Sequence, residues 1–300
     1  MQHDTRPTND PISGKADPWI RTDLACEGGG FLGGAVTRTV EVGGQAVTVT
    51  RQEGEGKFVT LSMGRITLYG EGELSRLGVI LAEELRRMAA ALLGREADSS
   101  CRILVAGLGN PDMTPDALGP GTVRRLTVTR HLAAHDGALF GALGCCELAA
   151  VAPGVLGQTG IESGELIRAA AELTRPHLVV AVDALAARSC ERLSSTVQLS
   201  DRGITPGAGI GNRRVAIDEA FLGCPVIGMG APTVVDSATL VRDALEQAGL
   251  GEADMPEGLP EVLERGRSFI VSPKDCDSMV EATCRLLARA IDEAFGVGEW

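Results

Sequence analysis

The stretch ILVAGLGNPDMTPDALGP at residues 103–120 joins a short apolar run to a loop rich in Gly, Pro and Asp. An apolar run that ends in a glycine, here Gly107, is typical of a buried strand in a parallel sheet. In open α/β sheets, ligands bind beyond the carboxyl ends of the strands. We therefore predict a strand over Ile103–Gly107 and a functional site in the following loop, which contains Asp116.

Further apolar runs alternate with helical patterns along the rest of the chain. Buried strands are predicted over His177–Asp183, Pro225–Gly230 and Ser268–Val271, and helices over Glu73–Leu93, Glu162–Leu173, about Asp236–Ala248 and Met279–Phe295. This alternation predicts an α/β fold with a mostly parallel sheet flanked by helices. Before it, β-branched runs on both sides of Gly43-Gly44 predict an N-terminal β-hairpin region.

The composition excludes several classes of protein. The 300 residues carry 28 Lys and Arg against 40 Asp and Glu, a formal charge of −12. Such a chain repels phosphate backbones, so we expect no direct binding of nucleic acid. No segment approaches the ~20 consecutive apolar residues of a spanning helix, and the N-terminus has no apolar signal region. The irregularly spaced eight Cys indicate reduced thiols in a cytoplasmic protein without membrane attachment.

Two acidic residues, Asp116 and Asp183, stand at or after the carboxyl ends of predicted strands. Two close carboxyls do not ionise together readily, so one of them stays protonated. Such a pair can activate water and protonate a leaving amine, as peptide hydrolysis requires. Each residue could instead cap a helix, Asp116 the helix after Pro115 and Asp183 a helix beginning at Ala184.

Other motifs favour structural roles. The glycines of Gly207–Gly211 lack dinucleotide and Walker spacing, and they predict a turn or a pocket wall. His131 and His135 share a predicted helix face but have no acidic partner at the spacing of a metal site. The adjacent Cys145 and Cys146 fit neither a common zinc site nor a CxxC motif, so we expect buried thiols. Serine and cysteine protease chemistry is disfavoured, because G-x-S-x-G and a Cys with a His partner are lacking.

A series of motifs runs in order over about 250 residues of the chain. These are Arg21–Ala25 with Glu27, Gly107–Asn110, Thr114–Pro120, Pro153–Glu162, Val182–Arg188, Pro206–Asn212, Gly230–Asp236 and Ser272–Asp275. In these stretches the chain resembles the germination protease family of endospore-forming bacteria, endopeptidases that degrade small acid-soluble spore proteins. It departs from the family's usual motifs at Ala208, Ile210 and Ser272, which affects the fit of the substrate rather than the type of reaction.

The resemblance implies several properties of this chain. The family's two essential aspartates correspond to Asp116 and Asp183, and no cofactor or metal is expected. The fold would resemble that of hydrogenase maturation endopeptidases, and the protein would form a homotetramer in the cytoplasm of the developing spore and in the spore core. Family members are inactive precursors that remove their own N-terminal arm. The implied division is an arm over residues 1–23 and a single α/β protease domain over residues 24–300.

The arm itself contains the sequence pattern of the family's substrates, Thr, an acid, an apolar residue, Ala, any residue and Glu. Thr22–Glu27 reads TDLACE, which predicts self-cleavage between Asp23 and Leu24. Arg188 is a candidate for holding the acid before the cut by a bidentate pair. The backbone of the glycine-rich turns is a candidate for stabilising the oxyanion. The remaining candidates for substrate or oxyanion binding are Gly109, Asn110, Thr114, Gly207 and Gly209.

Two alternatives stay open at this point. Asp116 and Asp183 could bind a divalent metal in an enzyme of the hydrogenase-maturation type. The chain could also be an inactive scaffold of the same fold, although a scaffold has no use for a self-cleavage sequence.

Overall fold

The computed structural model describes residues 22–27, 34–54, 56–210, 214–250, 258–264 and 269–297. Its strands are β1 (Val36–Val42), β2 (Gln45–Glu53), β3 (Lys57–Ser62), β4 (Arg102–Gly107), β5 (Glu147–Val151), β6 (Leu178–Ala187), β7 (Thr196–Ser200), β8 (Val226–Asp236) and β9 (Ile270–Val271). Its helices are α1 (Glu71–Leu93), α2 (Leu118–Val123), α3 (Arg130–His135), α4 (Gly137–Leu143), α5 (Leu156–Thr159), α6 (Ser163–Thr174), α7 (Glu219–Leu222), α8 (Ser237–Gln247), α9 (Leu259–Glu264) and α10 (Cys276–Phe295). Residues 1–21 of the arm predicted over residues 1–23, and Ser268 of the last predicted strand, lie outside the described residues.

The strands form one mixed sheet in the order β1-β2-β3-β7-β8-β6-β4-β5, with β9 beside the end of β8. The α/β class is confirmed, but the prediction of a mostly parallel sheet is wrong. Pairing is parallel from β5 to β8 and antiparallel from β8 to β1. The reason is β7, which runs antiparallel to both β3 and β8 and so joins the N-terminal strands to the parallel half.

The N-terminal hairpin is confirmed. Gly43 and Gly44 have φ angles of 60° and 74°, the left-handed values that a two-residue hairpin turn with the right twist requires. The hairpin continues into β3, so it extends the main sheet.

Helices cover both faces of the parallel half. On one face, α1 and α10 pack through Leu81 and Leu287 against strand residues such as Val180. On the other, α6 packs through Ile167 against Val179. Alternate residues of β6 therefore enter different cores, which explains why this strand is a continuous apolar run.

Adjacent strands β4 and β6 connect to opposite sides of the sheet, β4 to β5 and β6 towards β7 and β8. Such a switch point opens a crevice at the carboxyl ends of the strands. β4 ends at Gly107, opposite Val182, whereas β6 continues to Ala187. The last part of β6 therefore has one edge that β4 does not cover.

Within the described chain, no helix is both long and apolar enough to span a bilayer.

Very close backbone packing holds α2 at this crevice. A Cβ atom on Gly119 would lie 2.2 Å from the carbonyl oxygen of Leu108 and 2.5 Å from that of Val182. The first turn of α2 can lie this close to Leu108 and to the sheet only because residue 119 has no side chain.

We expect Gly119→Ala to lower the free energy of unfolding by about 3 kcal/mol, because the methyl group meets only backbone atoms and forces α2 away from the sheet. Gly72→Ala is the matched control, since Gly72 lies in α1 and a Cβ atom there would have no neighbour within 4 Å. Gly72→Ala should raise the free energy of unfolding by ~0.5–1 kcal/mol. Urea unfolding measures both, and equal effects of the two substitutions would contradict this packing.

Candidate active site

Asp183 lies inside β6, in parallel register with Gly230 of β8. Only 6% of the residue is exposed, and its Oδ1 accepts a hydrogen bond of 2.9 Å from the N–H of Ala184. The alternative role as a cap of a helix beginning at Ala184 is wrong, because the strand continues to Ala187. A carboxyl in the middle of a buried strand costs solvation energy, which points to a functional reason for its position.

Asp116 ends a 3-10 turn in the loop after β4. Its Oδ2 accepts a hydrogen bond of 2.8 Å from the N–H of Asn110. Its side chain does not cap α2, which begins at Leu118 with Ala117 as the N-cap residue. The loop is fixed to the sheet by the hydroxyl of Thr233, which donates to the carbonyl of Pro115 at 2.7 Å.

Gly109 allows the loop to turn back on itself. Its φ angle is 117°, and a Cβ atom there would lie 1.9 Å from the carbonyl oxygen of Asp116. Of the other predicted residues in this loop, Asn110 holds Asp116 through its N–H, and Thr114 begins the 3-10 turn.

Both aspartates line a cleft with a volume of about 440 Å³, together with Asp23. Burial raises the pKa of the Asp183 carboxyl well above its ordinary value, and the negative charges of Asp116 and Asp23 raise it further. Burial also raises the pKa of Asp116, against the opposing effects of the Asn110 N–H and the Arg214 charge. Two neighbouring negative charges thus add to the effect of burial at Asp183, whereas an N–H and a positive charge oppose it at Asp116.

Arg214 was missed by the sequence reasoning. It lines the cleft, its charge lowers the pKa values of Asp116 and Asp183, and its Nη1 lies 3.6 Å from Oε2 of Glu162. The available signal was its position just after the glycine-rich motif that ends at Asn212.

The segment Thr22–Glu27 is docked along the free edge of β6. The N–H of Asp23 donates to the carbonyl of Ala186 at 2.9 Å, and the N–H of Ala186 donates to Oδ2 of Asp23 at 2.8 Å. A hydrogen bond from the backbone of Gly209 also reaches this carboxylate. The segment thus adds a short strand-like contact where β4 no longer covers β6.

Leu24 and Glu27 fix the rest of this segment. Leu24 is 1% exposed and packs in an apolar cluster with Leu185 and Val235. The Glu27 carboxylate accepts hydrogen bonds from the N–H groups of Arg188 and Ser189 at 2.7 and 3.0 Å.

The remaining predicted residues fall into two groups. Gly207 lines the cleft, and a Cβ atom on Gly209 would lie 2.4 Å from the Asp23 carboxylate. The Arg188 guanidinium instead pairs with Glu246, so in this structure the acid before the predicted cut is held by backbone N–H groups.

The described residues also bear on the metal and thiol motifs. Among them, no group of three or more His, Cys, Asp or Glu side chains is arranged to hold a metal ion. His131 and His135 are both exposed on α3. Cys145 and Cys146 are buried free thiols, as predicted.

Comparisons with known proteins agree with the motif pattern. Residues 34–251 match the family model described as germination protease. The germination protease of Clostridium acetobutylicum is 36% identical over 262 residues, covering 80% of this chain and 78% of that protein. That of Caldanaerobacter subterraneus is 35% identical over 311 aligned residues, covering 93% and 95%. That of Bacillus subtilis is 40% identical over 214 residues, covering 71% and 57%.

Burial raises the pKa of Asp23 from 3.8 to about 6, so its charged form is disfavoured in the folded protein. Between pH 3.8 and about pH 6, the folded state then binds more protons at Asp23 than the unfolded state does. The contribution of Asp23 to the free energy of unfolding therefore falls as the pH rises. Asp23→Asn keeps an oxygen acceptor without the charge. We expect it to be more stable than the unsubstituted chain by up to ~3 kcal/mol at pH 8 and equally stable near pH 4.

Urea unfolding at the two pH values measures this difference, with intact mass used to select chains that still carry residues 1–23. A difference that is the same at pH 4 and pH 8 would contradict the raised pKa of Asp23. Asp112→Asn, an exposed carboxyl in the loop after β4, serves as the control for removing a negative charge.

Proposed function

Because the chain belongs to the germination protease family, and is therefore a peptidase, we propose that it cuts small acid-soluble spore proteins with Asp116 and Asp183 as its acid–base pair. The observation that carries the proposal is the burial of Asp183 in the same cleft as Asp116, where a substrate-like segment of the chain also docks.

The two carboxyls take different roles. Asp116, helped by the Asn110 N–H and by Arg214, takes a proton from water as the oxygen attacks the peptide carbonyl. Asp183 holds a proton because it is buried beside like charges, and it gives that proton to the nitrogen of the leaving amine. Water supplies the OH of the new carboxyl and the proton that Asp116 receives. No covalent intermediate with the chain is needed.

The docking of Thr22–Glu27 supports self-processing between Asp23 and Leu24. The segment has the substrate pattern, lies against the edge of β6 and brings the Asp23 carboxylate close enough to raise the pKa of Asp183. We propose that the chain is made as a precursor with an arm over residues 1–23, and that the domain over residues 24–300 carries the activity.

Backbone N–H groups bind the acidic side chain that precedes the predicted cut. The carboxylate of Asp23 receives hydrogen bonds from Ala186 and Gly209, and a side chain at residue 209 would overlap it. An ionised or protonated acid fits this pocket, whereas a larger or apolar residue leaves the N–H groups without acceptors. The same contacts would accept the acid of a separate protein substrate.

The family further supports an assignment to spores. We propose that the active form is a homotetramer in the cytoplasmic compartment of the developing spore and in the spore core, with acid-soluble spore proteins as its substrates. Direct binding of nucleic acid forms no part of the proposal, because the net charge of −12 repels a phosphate backbone.

The central prediction concerns the arm. Purified chain should lose residues 1–23 and show a new N-terminus at Leu24, whereas Asp116→Asn and Asp183→Asn should slow this cut by about 10²–10⁴-fold. Intact mass against time measures the rate. Full processing of either variant at the original rate would remove the two aspartates from the mechanism.

Two controls separate the open alternatives. Asp112→Asn changes an exposed carboxyl of the same loop and should leave the rate unchanged. EDTA should also leave the rate unchanged, whereas loss of cutting that one added metal restores would support the metal-dependent alternative. A folded chain that never loses its arm would support the inactive scaffold.

Gly209→Ala tests the acid pocket. Its methyl group would overlap the Asp23 carboxylate and displace the bond to be cut, which we expect to slow self-processing by about 10²-fold. Gly141→Ala is the control, because a Cβ atom there has nothing within 4 Å. If both substitutions leave the rate unchanged, the pocket around Asp23 is not the one used for cutting.

A further inference from the structure

Gln198 lies in the middle of β7, at the point where the antiparallel half of the sheet meets the parallel half. Gly230 of β8 is paired with Gln198 on one side and with Asp183 on the other. Residues that pair directly across neighbouring strands face the same side of a sheet. The side chains of Gln198 and Asp183 therefore share a face, on strands roughly 10 Å apart.

Residue 230, between them, is a glycine, and atoms of β6 occupy the space that a side chain there would fill. A Cβ atom there would lie 2.5 Å from the carbonyl oxygen of Asp183 and 2.8 Å from Cγ of Leu185. On this face, the side chain of Leu24 packs against Leu185. The peptide that joins Asp23 to Leu24 thus crosses the same face as the buried carboxyl.

Gln198 forms hydrogen bonds with the backbone on both sides of that peptide. Its Nε2 donates to the carbonyl oxygen of Asp23 at 3.1 Å, and its Oε1 accepts from the N–H of Ala25 at 2.7 Å. The residue is 7% exposed, so both hydrogen bonds are largely shielded from water. A buried side-chain amide with both ends bound to one short segment has a single fixed orientation.

We infer that Gln198 is a catalytic residue that stabilises the oxyanion formed at the carbonyl of residue 23 and sets the register of the chain to be cut. This inference rests on the proposed cut between Asp23 and Leu24. When the water oxygen bonds to the carbonyl carbon, the C=O electron pair moves to the oxygen, which then carries the negative charge. The Nε2–H of Gln198 already points at that oxygen, and a donor placed before the reaction stabilises this charge most.

Collapse of the intermediate restores the C=O bond and breaks the bond to the nitrogen of Leu24, which leaves as an amine with a proton from the acid–base pair. Because both contacts of Gln198 are to main-chain atoms, they do not depend on side-chain identity. Any extended polypeptide with an acid in the pocket of Ala186 and Gly209 could be held in the same register.

Gln198→Glu is the test variant, because it keeps the size and the Oε1 acceptor for Ala25 but removes the donor to the carbonyl. We expect the first-order rate of self-processing to fall by about 10²–10³-fold. Hydrogen exchange of Ala25 should stay protected, because its acceptor remains. Gln198→Met, of similar length without either group, should lose both the rate and the protection.

Thr196→Val is the matched control on the same strand and face. Thr196 is 2% exposed, and its hydroxyl has no hydrogen-bond partner among the described residues. It should process at the original rate with Ala25 protected.

The outcomes separate this inference from the proposed function. If the unsubstituted chain processes at Leu24 and depends on Asp116 and Asp183, but Gln198→Glu processes within about threefold of its rate, the inference is overturned and the proposed function stands. If Gln198→Glu loses rate and protection together, Gln198 has only a structural role and the inference is again overturned. If the unsubstituted chain is never cut at Leu24, both are overturned.

Discussion

The edge of β6 beyond the end of β4 is the constraint on which the site depends. Buried backbone N–H and C=O groups need hydrogen-bond partners. β4, which pairs with the first half of β6, ends before it reaches Ala186. Asp23 satisfies both groups, one through its own N–H and one through its carboxylate. The need to complete the sheet therefore brings the segment Thr22–Glu27 beside Asp183.

Three acidic side chains lie close together at this edge of the sheet. Asp23, Asp116 and Asp183 line one cleft, and each has a raised pKa chiefly because of burial. Arg214 offsets part of this charge without removing it. A carboxyl whose pKa is raised by burial keeps its proton to a higher pH than an exposed one, and its ionisation in the folded state costs stability.

The mixed sheet has a direct chemical consequence. The parallel half supplies Asp183 from within β6 and Asp116 from the loop after β4, whereas the antiparallel half supplies Gln198 from β7. Gly230, on the strand between them, pairs with Asp183 on one side and with Gln198 on the other. The N-terminal hairpin is thus part of the sheet that forms the site, while the likeness of this fold to hydrogenase maturation endopeptidases stays a prediction.

The sequence by itself determined the features that depend on neighbouring residues: the Gly43-Gly44 hairpin, the helices α1, α6, α8 and α10, and the choice of Asp116 and Asp183 as site candidates. Only the tertiary structure decided the strand directions, the partner of Arg188, and the roles of Arg214 and Gln198. These follow from contacts between distant segments, such as the hydrogen bond between Asp23 and Ala186, 163 residues apart. Local periodicity carries no information about which strand edges remain free, so it cannot predict what binds there.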